Sequence, residues 1–435
     1  MSNVYILLLI CFTLLSCQTS DDLNYNDNEI NKSKKNILLI ITDDMGLDAS
    51  VGYNIGNQKP KMPNIQQLIL NGIKFNNVWA NPVCTPTRST ILTGKYGYNT
   101  SVLNVDDALS TTELSLFQYL KDNSNYKSAL IGKWHLSGRP SNHYHPNNLG
   151  IDYFAGIIGG GVQNYNNWTF SKNGNTSTSN EYSTTKLTDE AINWINNQDE
   201  SWFLWLAYNA PHTPFHLPPS NLHSQVNLPD DISSINANPL PYYLSMIEAV
   251  DSEIGRLISS IGKEVFNDTT VIFIGDNGTP NQVAQQYNSR RVKGSLYRGG
   301  INVPMIISGN QVSRINEEEN ALINTTDLFT TISELCGIEN SKMNDSKSFK
   351  SLLSNKFSSN SREYIYSEIG KNNYTIRNQT HKYIHFENGS EALYNLSINE
   401  FENPNLLSTN QLPLSSNDNL NKTKLLNELN TIRKN

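Results

Sequence analysis

The segment Asn36-Ile-Leu-Leu-Ile-Ile-Thr-Asp-Asp44 joins an unbroken apolar run to two carboxylates that follow it directly. A continuous apolar run of this length is typical of a strand that is buried on both faces, as in parallel sheets. Similar runs recur at residues 128–131, 202–208, 270–274 and 303–308. The sequence therefore predicts a buried sheet with several strands of this kind.

Helical patterns lie between these runs. Apolar residues recur at spacings of three and four over residues 64–70, 186–196 and 243–261. This alternation predicts an α/β domain in which helices flank a mostly parallel central sheet. After about residue 340, short alternating segments at 362–366, 373–377 and 382–386 predict a small antiparallel sheet, followed by a polar, Asn-rich tail.

The N-terminal residues have a different character. Residues 4–15 are mostly apolar, which is too short a run for the roughly 20 residues that span a bilayer. The run ends in Leu14-Leu-Ser-Cys17 and resembles a bacterial lipobox, in which the cysteine is lipidated. We therefore predict export and a lipid anchor at Cys17, on the periplasmic or cell-surface side. The alternative is an ordinary cleaved signal with a chance cysteine.

Length and charge set the outline of the chain. It has 435 residues and a formal net charge of −7, with 33 basic and 40 acidic side chains and no long basic run, so we expect no nucleic-acid partner. We predict a signal peptide over residues 1–16, a flexible tether over 17–35, an α/β domain over 36–340 and a C-terminal subdomain over 341–435.

Polar side chains follow four of the predicted strands. In parallel sheets, sites form outside the carboxyl ends of the strands, so these groups should meet at one edge. They are Asp43-Asp44, Gly132-Lys-Trp-His135, Asn209-Ala-Pro-His212 and Gly275-Asp-Asn277.

Three carboxylates and one amide in this set are oxygen donors: Asp43, Asp44, Asp276 and Asn277. Oxygen ligands that include an amide suit Ca²⁺ better than Zn²⁺, which would favour more His or Cys. The alternative is that these residues only cap a helix and form a turn.

The remaining groups are suited to proton transfer or to holding negative oxygens: Lys133, His135, His212 and the later Lys293. If they gather at the predicted edge, they imply an anionic substrate. Alternatively, each is an ordinary solvated loop residue.

Cys84 lies in Asn81-Pro-Val-Cys-Thr-Pro-Thr-Arg88, where Pro86 is typical of a helix start and Thr93-Gly94 of a helix end. Arg88 would lie one turn after Cys84. The simplest interpretation is a thiolate nucleophile with a lowered pKa. A disulfide with Cys336 is an alternative, although the surroundings of Cys336 favour a buried, inert thiol.

At this point the chain resembles a known family. Cys84-Thr-Pro-Thr-Arg88, followed by Leu92-Thr-Gly94, is similar to the C-x-P-x-R…L-T-G signature of formylglycine-dependent (type I) sulfatases, which have an alkaline-phosphatase-like fold. The resemblance extends to further motifs along the chain, namely Asp43-Asp44, Met62-Pro-Asn-Ile65, Gly132-Lys-Trp-His135, Pro211-His-Thr-Pro214, Asp276-Asn-Gly278 and Lys293.

The resemblance implies roles for these residues. Cys84 would be oxidised by a maturation enzyme to formylglycine (3-oxoalanine), whose hydrated aldehyde is the nucleophile. Asp43, Asp44, Asp276, Asn277 and position 84 would hold Ca²⁺. Arg88 and Lys133 would stabilise the hydrated aldehyde, His212 and Lys293 would support the departing alcohol oxygen, and His135 would take the proton whose loss expels sulfate.

The expected substrate is a sulfated polysaccharide or oligosaccharide, for example an algal glycan. Candidates for substrate contacts are Arg139, His143, His145, Trp168, Arg290 and Arg291. Two alternatives remain, a phosphodiesterase or phosphonate hydrolase of the same superfamily and a non-catalytic, lipid-anchored glycan-binding protein.

Overall fold

The computed structural model describes residues 35–339, 342–358 and 362–434. The predicted signal peptide, Cys17 and all of the predicted tether except Lys35 lie outside this part, and the boundary at 340–341 falls in one of its gaps. In the described part, no helix is long and apolar enough to cross a membrane.

The sequence forms short strands and helices in alternation. The strands up to residue 324 are β1 (Asn36–Thr42), β2 (Gly72–Phe75), β3 (Val78–Trp79), β4 (Lys127–Lys133), β5 (Tyr153–Ile157), β6 (Trp168–Lys172), β7 (Asn175–Ser179), β8 (Trp202–Tyr208), β9 (Thr269–Gly275), β10 (Met305–Gly309), β11 (Glu317–Glu319) and β12 (Ile323–Asn324). The later strands are β13 (Lys342–Met343), β14 (Ser346–Lys347), β15 (Ile365–Ile369), β16 (Asn373–Arg377), β17 (His381–His385) and β18 (Glu391–Asn395).

The α-helices are α1 (Pro63–Leu70), α2 (Cys84–Thr93), α3 (Gly97–Thr100), α4 (Leu116–Asn123), α5 (His145–Asn148), α6 (Ser183–Ile195), α7 (Ile232–Ala237), α8 (Leu240–Ser260), α9 (Lys263–Asn267), α10 (Arg298–Ile301), α11 (Asp327–Leu335) and α12 (Ser416–Lys434). The short 3-10 helices in the described part of the chain are Leu47–Ala49, Lys350–Leu353 and Thr409–Gln411.

A ten-stranded sheet forms the centre of the molecule, in the order β11-β2-β10-β9-β1-β8-β4-β5-β6-β7. The strands from β9 to β5 in this order are parallel. Strand β10, which the apolar run at 303–308 predicted, pairs antiparallel with β9. The predicted fold class, a mostly parallel sheet flanked by helices, is confirmed.

The centre of the sheet is buried on both faces, as the apolar runs predicted. Along β1, Ile37, Leu39 and Ile41 belong to one apolar cluster, and Leu38 and Ile40 belong to the other. Helices α2, α4 and α11 contribute to the first cluster, and α1, α6 and α8 contribute to the second. Each fully buried Ile or Leu side chain stabilises such a core by about 2 kcal/mol.

Close backbone contact brings β4 against β8. At Gly132, φ is +116° and an added Cβ would lie 1.9 Å from the carbonyl oxygen of Ala207. Only glycine fits this position without a shift of the backbone. Three residues later the chain reaches His135, so this contact helps to fix where that side chain begins.

The C-terminal sheet has the antiparallel order β15-β16-β17-β18, of which β18 was not predicted. The polar, Asn-rich tail contains helix α12, which was not predicted. Leu425 and Leu429 lie one helical turn apart and are buried against Tyr366, Ile376 and Leu393. Two apolar residues among many polar ones are a weak indication of a helix in the sequence. Their side chains nevertheless pack this helix against the C-terminal sheet.

Candidate active site

Four parallel strands deliver the predicted polar groups to one edge of the sheet. Strands β9, β1, β8 and β4 are neighbours, and their carboxyl ends lead to Asp276, Asp43, His212 and Lys133. This common edge follows from parallel pairing.

Cys84 is the first residue of α2, and the whole helix is buried. The preceding Val83 is extended, and the hydroxyl of Thr87 accepts a 3.0 Å hydrogen bond from the backbone amide of Asn81. Gly94 ends the helix at φ +65°. These contacts hold Cys84 at the floor of a cavity of about 530 Å³, which Asp106, His135, Arg139, His212 and Lys293 also line.

The predicted thiolate is not supported, because burial raises the pKa of the Cys84 thiol. Arg88 does not offset this effect of burial on the thiol, because its guanidinium is bonded to other groups. It donates to Asp276 Oδ2 and to the carbonyl oxygen of Lys133, both at 2.8 Å. The predicted disulfide alternative is also excluded, because Cys84 and Cys336 are both free and buried.

Buried carboxylates face cations across this site. Lys133 Nζ lies 2.5 Å from Asp43 Oδ2, and Lys293 Nζ lies 2.6 Å from the Asp44 carboxylate. Burial alone would raise the pKa of Asp43, but the nearby cations, of which Lys133 contributes most, together outweigh burial, and the pKa is lowered. Burial, assisted by Asp43, raises the pKa of Asp276 to about 7.

The residues fit a cation. A carboxylate oxygen of Asp43, a carboxylate oxygen of Asp276 and Cys84 Sγ all lie within 4.8 Å of one another. Asp43 Oδ1 and Asn277 Oδ1 are buried and accept no hydrogen bond from any described residue. Buried oxygen atoms that accept no hydrogen bond are available to coordinate a hard metal ion. The Asp44 carboxylate, in contrast, is already bonded by Lys293 and by the Asn277 amide at 2.8 Å.

His135 connects Cys84 to a carboxylate that the sequence analysis missed. Its Nδ1 lies 3.2 Å from Cys84 Sγ, and its Nε2 lies 2.9 Å from Asp106 Oδ1. Burial lowers the pKa of His135 to about 3. Burial alone would raise the pKa of Asp106, but the interactions with His135 and Arg139 together outweigh burial, and this pKa is lowered. An ionised carboxylate only accepts, so Nε2 carries the proton and the lone pair of Nδ1 faces position 84.

His212 lies across the cavity. Its Nδ1 is 2.8 Å from the carbonyl oxygen of Thr213, so Nδ1 carries a proton. Its Nε2 is 3.8 Å from Asp44 Oδ2. Nδ1 is thus occupied, and Nε2 is the ring nitrogen available for proton transfer.

The loop of Gly159, Gly160 and Gly161 covers both histidines. An added Cβ on Gly160 would lie 2.6 Å from the His135 ring, and one on Gly161 would lie 3.3 Å from the His212 ring. The sequence signal was a run of three glycines directly after an apolar segment. Asp106 gave no comparable signal, because aspartates are ordinary in loops.

The candidate substrate contacts divide into two groups. Arg139 lines the cavity, is 77% exposed and bonds Asp106 at 2.8 Å. Arg290 is also exposed but lines a separate cavity. The predictions for His145 and Trp168 are wrong, because both are buried and their ring nitrogens are bonded within the protein.

His143 and Arg291 also have partners within the protein. His143 Nδ1 lies 3.2 Å from the Ser171 hydroxyl, and Arg291 donates to the carbonyl oxygen of Glu402.

Comparison with known proteins identifies the family. A family model described as Sulfatase matches residues 35–338. The chain belongs to the sulfatase family. Members of this family hydrolyse sulfate esters, and the recognition made from the Cys84 motif is confirmed.

Two relatives and one solved structure illustrate the similarity. An uncharacterized sulfatase, YdeN of Escherichia coli (strain K12), is 28% identical over 327 residues, which are 66% of this chain and 56% of that protein. The chain thus spans little more than half the length of this relative. An ulvan-active sulfatase of Formosa agariphila is 29% identical over 359 residues, covering 78% of this chain and 68% of the relative. The crystal structure of Ps i-CgsB in complex with k-i-k-neocarrahexaose gives a TM-score of 0.75 at 25% identity, over 92% of each chain.

Proposed function

We propose that this sulfatase-family protein hydrolyses sulfate esters of a polysaccharide or oligosaccharide, with Cys84 converted to formylglycine and with Ca²⁺ bound beside it. The observation that carries the proposal is that Cys84, which lines the cavity together with His135, also lies beside the buried carboxylates of Asp43 and Asp276. The carbohydrate class is supported by the relatives, one of which is an ulvan-active sulfatase and another a protein solved with a neocarrahexaose.

The proposed ligands of Ca²⁺ are Asp43, Asp44, Asp276, Asn277 and the modified position 84. Their oxygens suit a hard cation, whose charge stabilises negative oxygen nearby. Formylglycine supplies a hydrated aldehyde with two hydroxyls, one to attack sulfur and one to release sulfate afterwards. A serine or a thiol would offer no second hydroxyl.

The chain's own residues move the protons. His135 Nδ1, whose lone pair faces position 84, takes a proton there, and Asp106 holds the ring in that tautomer. His212 Nε2 gives a proton to the departing alcohol oxygen, and Lys293 stabilises negative charge on the same side. Arg88 and Lys133 fix the groups around position 84.

The test is turnover by protein produced together with a formylglycine-generating maturation enzyme. We expect sulfate release from p-nitrophenyl sulfate and from sulfated oligosaccharides, and much slower reaction of p-nitrophenyl phosphate. Cys84→Ala should abolish turnover, and an aldehyde-reactive hydrazide should label the wild type only. Labelled protein that releases no sulfate, or that prefers the phosphate, would contradict the proposal.

We also propose that the protein is exported and held at the membrane by a lipid on Cys17. The support is the lipobox-like Leu14-Leu-Ser-Cys17, which lies outside the described residues. A fatty-acid probe should label the wild type and not Cys17→Ala, which should leave the membrane fraction. Equal labelling of both would exclude this anchor.

A further inference from the structure

A second cavity lies beside the catalytic one. Its volume is about 620 Å³, and it is lined by Asn104 and Gly294, the chain neighbours of Val105 and Lys293 in the catalytic cavity. The same two loop segments therefore form the rim between both cavities. We call this second space the side cavity. Its far wall comes from turns between strands of the C-terminal sheet, through Lys371 and Phe386.

The side cavity contains cations that the protein itself leaves unpaired. Arg290 and Lys371 are exposed, and among the described residues neither side chain forms an ion pair. One carboxylate, Glu387, lines the same space and is likewise without an ion-pair partner in the described part. Two cations against one carboxylate leave the cavity with a net positive charge, which favours an anionic ligand.

The remaining lining residues suit a sugar. The rings of Tyr297 and Phe386 lie 6.3 Å apart and offer apolar surface to the C–H faces of a sugar ring. The side-chain amides of Asn104 and Asn373 can donate to hydroxyls and accept from them. A few polar groups around apolar surface are typical of a small-ligand site.

We propose that the side cavity binds the sugar next to the one that carries the scissile sulfate, and that Arg290 and Lys371 hold an anionic group on this neighbour. The anionic group is a sulfate ester or a carboxylate. The proposal rests on the proposed function and extends it, because it makes the substrate an oligosaccharide of at least two sugars with charge on both. A small aryl sulfate would occupy only the catalytic cavity and would not reach the side cavity.

The experiment compares kcat/KM on four substrates. Three are sulfated disaccharides, whose neighbouring sugar carries a sulfate, a carboxylate or no charge, and the fourth is p-nitrophenyl sulfate. The variants are Arg290→Ala, Lys371→Ala and Arg290→Lys. Lys263→Ala removes one charge from exposed helix α9, which precedes β9 and thus lies at the opposite edge of the sheet, and serves as the control.

We expect Arg290→Ala and Lys371→Ala each to lower kcat/KM on a charged-neighbour substrate about tenfold relative to p-nitrophenyl sulfate, the size of one lost charge-assisted hydrogen bond. Arg290→Lys should recover part of the loss. The substrate with the larger loss identifies sulfate or carboxylate as the ligand. Equal losses on charged and neutral neighbours would overturn the proposal, as would turnover of p-nitrophenyl sulfate with none of the disaccharides.

The experiments distinguish failure of the proposed function from failure of the proposal that the side cavity binds a charged sugar. If aldehyde-bearing protein releases no sulfate from any substrate, the proposed function fails, and calorimetric binding of the charged disaccharides to Cys84→Ala protein then tests the side cavity alone. Weaker binding after adding Arg290→Ala would support it, and unchanged binding would overturn it.

Discussion

At the scale of residues, the charged groups of the catalytic cavity neutralise one another in pairs. The pairs are Lys133 with Asp43, Arg88 with Asp276 and Lys293 with Asp44. Buried charges are tolerated when each has a partner. A dication can bind the carboxylates of these pairs, and a sulfate ester can bind their cationic side chains. The site is therefore suited to bind a cation and an anion at the same time.

The two histidines should be separable by their leaving groups. If His212 protonates the departing oxygen, His212→Ala should cost about 10²–10⁴-fold with a sugar alcohol and much less with nitrophenol, which needs little protonation. His135 acts after the alcohol has left, so His135→Ala should give a burst of nitrophenol followed by a slow steady rate. Stopped-flow measurements on p-nitrophenyl sulfate check both. A burst in the His212 variant instead would mean that the roles are reversed.

The metal prediction concerns Asp276. Asp276→Ala would leave Arg88 buried without its partner, at a cost of about 3–5 kcal/mol, so Asp276→Asn is the cleaner change. We expect it to weaken Ca²⁺ binding in isothermal titration and to lower activity in parallel. Chelation of the wild type should remove activity, and added Ca²⁺ should restore it. Activity that survives thorough chelation would contradict a metal role for these carboxylates.

At the scale of elements, the edge of the parallel sheet was predictable and the loops over it were not. Apolar runs predicted β1, β4, β8 and β9, and parallel pairing then fixed where the following residues meet. Asp106 and the three glycines belong to loops, whose paths depend on distant contacts rather than on a local pattern. Asp106, for example, has φ +64°, and its amide bonds the Thr85 hydroxyl at 3.3 Å.

The glycine loop should restrict the position of His135. Gly160→Ala would place a Cβ 2.6 Å from the imidazole, so the ring or the loop must move. A displacement of about 1 Å at a reacting group can cost about 10²-fold, which is the loss of kcat we expect. Gly159→Ala is the matched control, because nothing lies within 4 Å of its added Cβ, and it should lose much less. Similar losses in the two variants would argue against contact with His135 as the cause.

At the scale of the whole molecule, the C-terminal sheet is joined to the sulfatase core by a buried ion pair. Arg362 Nε lies 2.9 and 2.8 Å from the two carboxylate oxygens of Asp327, the first residue of α11. Asp327 also accepts from the backbone amides of Asn324 and Lys347. The contacts of Asp327 with Lys347 and Arg362 join residues 20 and 35 positions apart, so the sequence alone gave no indication of them.

Loss of this pair should destabilise the protein without direct damage to the active site. Arg362→Ala leaves the buried Asp327 carboxylate without its cation, and we expect the free energy of unfolding in urea to fall by about 3 kcal/mol. Arg362→Lys should recover part of this loss, because it restores the charge without the two-pronged geometry. The kcat of the folded protein should change little, since Arg362 lines neither cavity described above.

Lys121→Ala, which breaks the exposed pair with Asp152, is the control and should lower the free energy of unfolding by about 0.5 kcal/mol. If the two alanine variants unfold alike, the Arg362–Asp327 pair does not hold the C-terminal sheet in place.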